Sequence, residues 1–156
     1  NIEIQDEIFR GTVHFIHSGV PHVIHFTDDT EQMDLRKVGR YIRHHPLFAP
    51  EGTNFSIVRI ISPNALFIRT YERGVENETL ACGTGSIAAV ITGSHLYNLQ
   101  SPVKVETLSR EILTIDYKLN ESGAGNIRLT GPARMIYQAT LYPDSSHSDR
   151  LIHTPI

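Results

Sequence analysis

The chain has 156 residues, 40% hydrophobic and 20% charged, with a net charge of −3, values that suit one compact domain with its own core. So small a charge, with no basic stripe, argues against nucleic-acid binding, and no apolar run approaches the length of a membrane span. A single cysteine rules out an internal disulfide and points to a reducing compartment, the cytoplasm.

The first seven residues are polar and acidic, unlike a secretory signal. Residues 12–17 and 22–28 are β-rich runs separated by a turn at Ser18-Gly19-Val20-Pro21. Thr30 is a candidate N-cap for a helix over residues 31–45, whose buried stripe is Leu35, Val38 and Ile42. Pro46 stops that helix, and His44 and His45 sit at its end, where imidazole suits the dipole. Residues 50–54 form a polar loop. Residues 55–61 and 65–71 read as two strands of a hairpin joined by Ser62-Pro63-Asn64. A helix over residues 86–97 is apolar almost all round, with Ile87, Ala88, Ala89, Val90, Ile91 and Leu96, so a sheet curled about it is expected. The last third alternates again over 103–108 and 112–119, turns at 120–125, and continues over 126–130 and 133–140. The expected fold class is α+β: seven or eight mostly antiparallel strands curved around one apolar helix, with a second helix outside. Nine histidines raise a metal hypothesis, but none stands at His-x-x-x-His spacing on a predicted helix and there is no Cys-x-x-Cys, so no metal site is expected.

The stretch with chemistry in it is Thr70-Tyr71-Glu72-Arg73-Gly74-Val75-Glu76-Asn77-Glu78-Thr79-Leu80-Ala81-Cys82-Gly83-Thr84-Gly85-Ser86. It runs from the end of a strand to the start of a helix. Gly83, Thr84 and Gly85 then offer backbone N–H groups with no intrahelical partner, in the positive end of the helix dipole. Both effects favour a bound anion. Both also favour thiolate over thiol at Cys82, lowering a pKa of about 8.5 in the free residue. A lone cysteine is most often a small buried hydrophobe, but burial alone does not call for Gly-Thr-Gly after it or Glu-Arg-Gly before it.

Several motifs fall in one order: Ser18-Gly19-Val20-Pro21-His22; His45-Pro46-Leu47-Phe48; Glu51-Gly52-Thr53-Asn54; Tyr71-Glu72-Arg73-Gly74; Glu78-Thr79; Ala81-Cys82-Gly83-Thr84-Gly85; and Leu129-Thr130-Gly131-Pro132-Ala133. Together they resemble the C-terminal half of the diaminopimelate epimerases, over residues 12–142. The resemblance implies a cofactor-independent amino-acid epimerase of lysine and peptidoglycan-precursor synthesis, built from two similar halves with the substrate between them and one catalytic cysteine from each. It implies that Cys82 is one of two acid/base residues and that Gly83 and Thr84 bind the α-carboxylate through backbone N–H groups. Glu72 would hold the substrate ammonium or help deprotonate a cysteine, Arg73 would clamp the distal carboxylate, Asn54 would bind the distal end, and His22 would sit by the thiols and tune them. On this reading residues 1–142 are the C-terminal domain of a longer polypeptide, which the Asn1 start fits. Residues 143–156 are then a tail docking on the absent N-terminal half. Partners are the small-molecule substrate and that half, with a homodimer as a further arrangement. Two positions depart from the family. Val20 stands where the family has Asn, which removes a hydrogen-bonding side chain, and Val75-Glu76-Asn77 is one residue longer than the commoner Ala-Gly. The alternatives are a non-catalytic carboxylate- or phosphate-binding domain and a related racemase with a different or broader substrate range. Proline racemases and phenazine-pathway isomerases share the fold; Cys82 argues against the latter, and Arg73 with Asn54 suggests a substrate longer than proline.

Overall fold

The computed structural model describes residues 1–121 and 123–140. In chain order the elements are β1 (Ile2–Gln5), β2 (Arg10–His17), β3 (Pro21–Phe26), α1 (Leu35–Arg43), a short 3-10 turn (Pro46–Phe48), β4 (Asn54–Ser62), β5 (Ala65–Glu72), β6 (Asn77–Thr79), α2 (Gly83–Tyr97), β7 (Val103–Glu106), β8 (Ile112–Asn120) and β9 (Gly123–Thr130). The strands form one sheet in the order β1-β2-β3-β4-β5-β7-β8-β9, with β6 added beside β5. Six of the eight pairings are antiparallel. The two parallel ones, β3 with β4 and β5 with β7, are the places where a helix makes the crossover.

Side chains alternate across a strand, so neighbouring residues serve opposite faces. Val23 and Ile57 enter a core with Leu35, Val38 and Ile42 of α1, together with Phe55 and Tyr71. Their neighbours Ile24 and Val58 enter a second core with Ala88, Ala89, Val90 and Ile91 of α2, together with Leu66, Ile68, Val103, Val105 and Ile115. The central strands are therefore covered on both faces, which is why β3 is buried without interruption over residues 21–24 and β4 over residues 54–58.

Helix α2 packs against β2, β3, β4, β5, β8 and β9. In the sheet order β2 and β9 are six strand spacings apart, about 29 Å if the sheet were flat. A helix with its side chains is about 10–12 Å across, so one helix reaches both strands only if the sheet curls around it. Gly85, Ser86, Ala88, Ala89, Thr92, Gly93 and Ser94 are all buried on α2, and their small size lets backbone approach from several sides. At Gly93 a Cβ would lie 2.5 Å from Leu99 Cδ1. The helix ends where Asn98 adopts a left-handed conformation, φ 55°.

The expected α+β fold with an apolar helix inside a mostly antiparallel sheet is what forms, and four details differ. Helix α1 starts at Leu35, because Asp34, not Thr30, is the cap: its carboxylate accepts the Lys37 N–H at 3.1 Å. Strands β1 and β6 are too short, at four and three residues, to show periodicity. Gly123–Gly125, expected in a turn, open β9 instead, with Asn120 opposite Gly123. The run 133–140 is not a strand: Met135 and Ile136 are each 89% exposed and Tyr137 79%, with no sheet partner among the described residues. The expected tail at 143–156 lies outside the described residues.

Gly39 of α1 packs so closely on β5 that a Cβ there would lie 2.4 Å from Tyr71 Cβ. Alanine is worth about 1 kcal/mol over glycine inside a helix, but the overlap outweighs it. Gly39→Ala is expected to destabilise the fold by roughly 1–3 kcal/mol in urea titration; a stabilised variant would contradict this packing.

Candidate active site

Strands β3, β4 and β5 carry, on the face that meets α2, His22 ahead of Ile24, Asn54 and Ser56 ahead of Val58, and Thr70 and Glu72 beyond Ile68. The face is apolar under most of α2 and turns polar at the helix N-terminus. His22, Asn54, Ser56 and Thr70 are buried there, and the Ser56 and Thr70 hydroxyls pair at 2.9 Å. Cys82 caps α2 at this end with an extended backbone, φ −134° and ψ 109°. Its carbonyl accepts from both the amide and the hydroxyl of Ser86 at 2.9 Å. The approach to it is fixed by Ser109 N–H donating to Leu80 O at 3.0 Å. At Gly85 a Cβ would lie 3.2 Å from Cys82 Sγ and 3.4 Å from His22 Cε1, so the glycine lets sulfur and imidazole share the space above the helix end.

Thr84 stands between those two groups. Its Oγ1 lies 3.0 Å from His22 Nε2 and 3.6 Å from Cys82 Sγ. Its carbonyl accepts from Ser18 Oγ at 3.0 Å, tying the β2–β3 turn to the helix start. Burial lowers the His22 pKa to about 4, helped by the electrostatic effect of nearby Arg73 and His17, so the ring is neutral at pH 7. The expectation of a depressed Cys82 pKa is overturned. Cys82 is only 8% exposed, burial pushes its thiol up, and the negative charge of Glu72 acts in the same direction. The Thr84 hydroxyl and the Gly85 and Thr84 amides act the other way without prevailing.

The loops 51–54 and 72–77 close the far side. Asn54 Nδ2 donates to Pro21 O at 2.9 Å and its Oδ1 accepts from Arg73 N–H at 2.8 Å, so its carboxamide braces β3 against the loop that carries Arg73. The half-buried Arg73 reaches Glu51 O with Nη1 at 3.2 Å. Arg43 of α1 donates to the same carbonyl at 3.3 Å and, through Nε, to Glu76 Oε1 at 3.0 Å. Glu76 also accepts the Gly74 N–H at 3.0 Å. Gly52 is required beneath this network, since its φ of +64° is left-handed and a Cβ would lie 2.4 Å from the Arg43 carbonyl oxygen.

The residues singled out in the sequence thus gather in one place. Cys82, Gly83, Thr84 and His22 meet at the end of α2, Glu72 acts on Cys82 by charge, Arg73 acts on His22 by charge, and Asn54 holds Arg73. Sequence reasoning missed Ser18, Arg43 and Glu76. Ser18 is indistinguishable from an ordinary turn residue. The extra residue of the 75–77 segment was the visible signal for Glu76, which anchors the longer loop. Among the described residues no group of three or more His, Cys, Asp and Glu could hold a metal, and no helix is long and apolar enough to cross a membrane.

The sequence profile of the diaminopimelate epimerases matches residues 14–136. The chain belongs to the diaminopimelate epimerase family. Curated diaminopimelate epimerases from Chlorobaculum tepidum and Aquifex aeolicus are each 43% identical over 129 residues, covering 82% and 81% of this chain and 49% and 45% of theirs. One from a Hydrogenobaculum species is 42% identical over 145 residues, 90% of this chain and 50% of its own. The chain therefore spans about half the length of these relatives. A probable proline racemase from Agrobacterium radiobacter K84 superposes with a TM-score of 0.48 at 14% identity, covering 76% of this chain and 39% of that one.

A base whose folded pKa is depressed stabilises the fold above its unfolded pKa and loses that contribution as pH falls through the folded value. For His22 the window runs from 6.5 down to about 4, and the loss is at most about 3 kcal/mol. Urea midpoints should fall across this window in the wild type and fall less in His22→Gln; equal slopes would contradict a neutral buried His22.

Proposed function

We propose that this domain supplies one face of a two-base epimerase site acting on diaminopimelate, with Cys82 as its acid/base. The observation that carries the reading is the placement of Cys82 at the N-terminus of α2, beside the Gly83 and Thr84 amides and the Thr84 hydroxyl. Inverting an α-carbon takes a base on one face and an acid on the other. In the forward direction the Cys82 thiolate takes the α-proton: the C–H bond breaks, an S–H bond forms and the electron pair stays on carbon. An acid on the opposite face, from the part of the polypeptide beyond this domain, returns a proton to carbon. In the reverse direction the roles exchange. The carbanion is stabilised through its carboxylate by the Gly83 and Thr84 N–H groups, whose orientation is fixed before the reaction begins. The reading needs no cofactor.

The raised thiol pKa fits this role. A dry sulfur is a stronger base once ionised, and a thiol that holds its proton is available as the acid in the other direction. Glu72 would meet the substrate ammonium, which would offset its unfavourable charge on Cys82. Arg73, a planar two-pronged donor, would take the distal carboxylate, with Asn54 setting its backbone. The exposed Met135, Ile136 and Tyr137, a few residues ahead of it, support a second element of the proposal, that the tail at 143–156 docks on the other half of the full-length protein. A cytoplasmic location and any homodimer belong to the same proposal.

In the full-length protein Cys82→Ala should lower epimerisation at least about a thousandfold in both directions, within the range general acid–base groups contribute. Turnover near the wild-type rate would remove Cys82 from the chemistry. Val20 favours a second reading, a broader substrate range, because valine offers no hydrogen bond to a distal ammonium. Val20→Asn is expected to raise kcat/KM for diaminopimelate relative to shorter amino acids; unchanged ratios would set Val20 aside.

A further inference from the structure

We propose that the Thr84 hydroxyl is a directional hydrogen-bond relay, receiving a donor from His22 and presenting its own hydrogen to Cys82 Sγ when the sulfur is a thiolate. The proposal concerns the site described above, and its test does not depend on the epimerase reading. No hydrogen bond joins His22 to the sulfur directly; the contacts run through Thr84, at 3.0 Å on one side and 3.6 Å on the other.

The direction follows from the other ring nitrogen. His22 is 0% exposed and its Nδ1 has no hydrogen-bond partner. With the hydrogen on Nδ1, a buried N–H would lack an acceptor, at a cost of about 1–3 kcal/mol. With the hydrogen on Nε2, the unpartnered atom is only a lone pair, a deficit that folded proteins tolerate more often. A doubly protonated ring is opposed by burial and by Arg73 and His17 nearby. The neutral Nε2–H tautomer remains, and it donates to Thr84 Oγ1. A threonine hydroxyl has one hydrogen and two lone pairs. With a lone pair occupied by His22, its hydrogen is available to the sulfur, and a donor to a thiolate forms a stronger, charge-assisted bond than one to a thiol. The relay therefore favours the thiolate without moving a proton along the chain.

Several groups face the sulfur and the ring. Glu72 from β5 opposes the thiolate, and the Thr84 and Gly85 amides of α2 favour it. Arg73, after β5, and His17 of β2 act on His22. The Ser18 hydroxyl, on the Thr84 carbonyl, holds the threonine in register between them. Thr84 is thus a positioning residue through its side chain, apart from the carboxylate-binding role proposed for its amide.

The test is the pH dependence of iodoacetamide alkylation at Cys82, followed by peptide mass spectrometry on the full-length protein from about pH 6 to about pH 10. Thr84→Val keeps the shape and removes the donor, and should move the midpoint up by about one pH unit, a tenfold loss of thiolate at fixed pH. Thr84→Ser keeps the donor and should restore the midpoint to within a few tenths of a unit. In the wild type, 15N shifts of His22 should report a hydrogen on Nε2. An unmoved midpoint in Thr84→Val, or a hydrogen on Nδ1, would overturn the relay. The alkylation needs no substrate, so a shifted midpoint in a protein without epimerase activity would leave the relay standing and remove the proposed function instead.

Discussion

Helix α2, fifteen residues long, has no polar face to turn to water. Burying it on all sides takes strands from both ends of the sheet order, so the sheet must curl. Everything at the site follows from that enclosure. The two parallel pairings sit where the chain crosses over. The interior strands are covered on both faces. The end of α2 whose amides lack intrahelical partners meets a polar part of the sheet face, where His22, Asn54, Ser56 and Thr70 are buried.

Two opposed effects meet at Cys82. Backbone amides and the Thr84 hydroxyl favour a thiolate, while burial and the Glu72 charge oppose it, and burial dominates. A sulfur held between these influences suits a reaction in which the same atom is base in one direction and acid in the other. Its surroundings are fixed by bonds that reach across the fold: Ser18 to Thr84, His22 to Thr84, and Asn54 to both Pro21 and Arg73. The far loops are held by Arg43, which binds Glu76 and the carbonyl of Glu51 at once.

The helix α2 and its wrapping were legible because an apolar segment with no polar stripe has few other fates. Cys82 and its glycines were legible as a turn into a helix, and the motif order led to the family that the sequence profile also finds. The thiol pKa was misjudged because the local sequence displays the amides but not the burial, which comes from distant strands. Ser18 and Arg43 were invisible for the same reason: their partners lie 66 and 33 residues away. The run 133–140 has the composition of a strand, yet Met135, Ile136 and Tyr137 stay exposed with no sheet partner among the described residues, and composition alone does not report pairing.

The central claim is that this domain carries one of two acid/base groups. The most direct measurement is exchange of the α-proton of LL-diaminopimelate in heavy water, followed by NMR for this 156-residue chain, checked as folded by circular dichroism, and for the full-length protein. The account predicts wash-out with appearance of the meso form in the full-length protein and none with the chain alone. Wash-out by the chain alone at the full-length rate would contradict it.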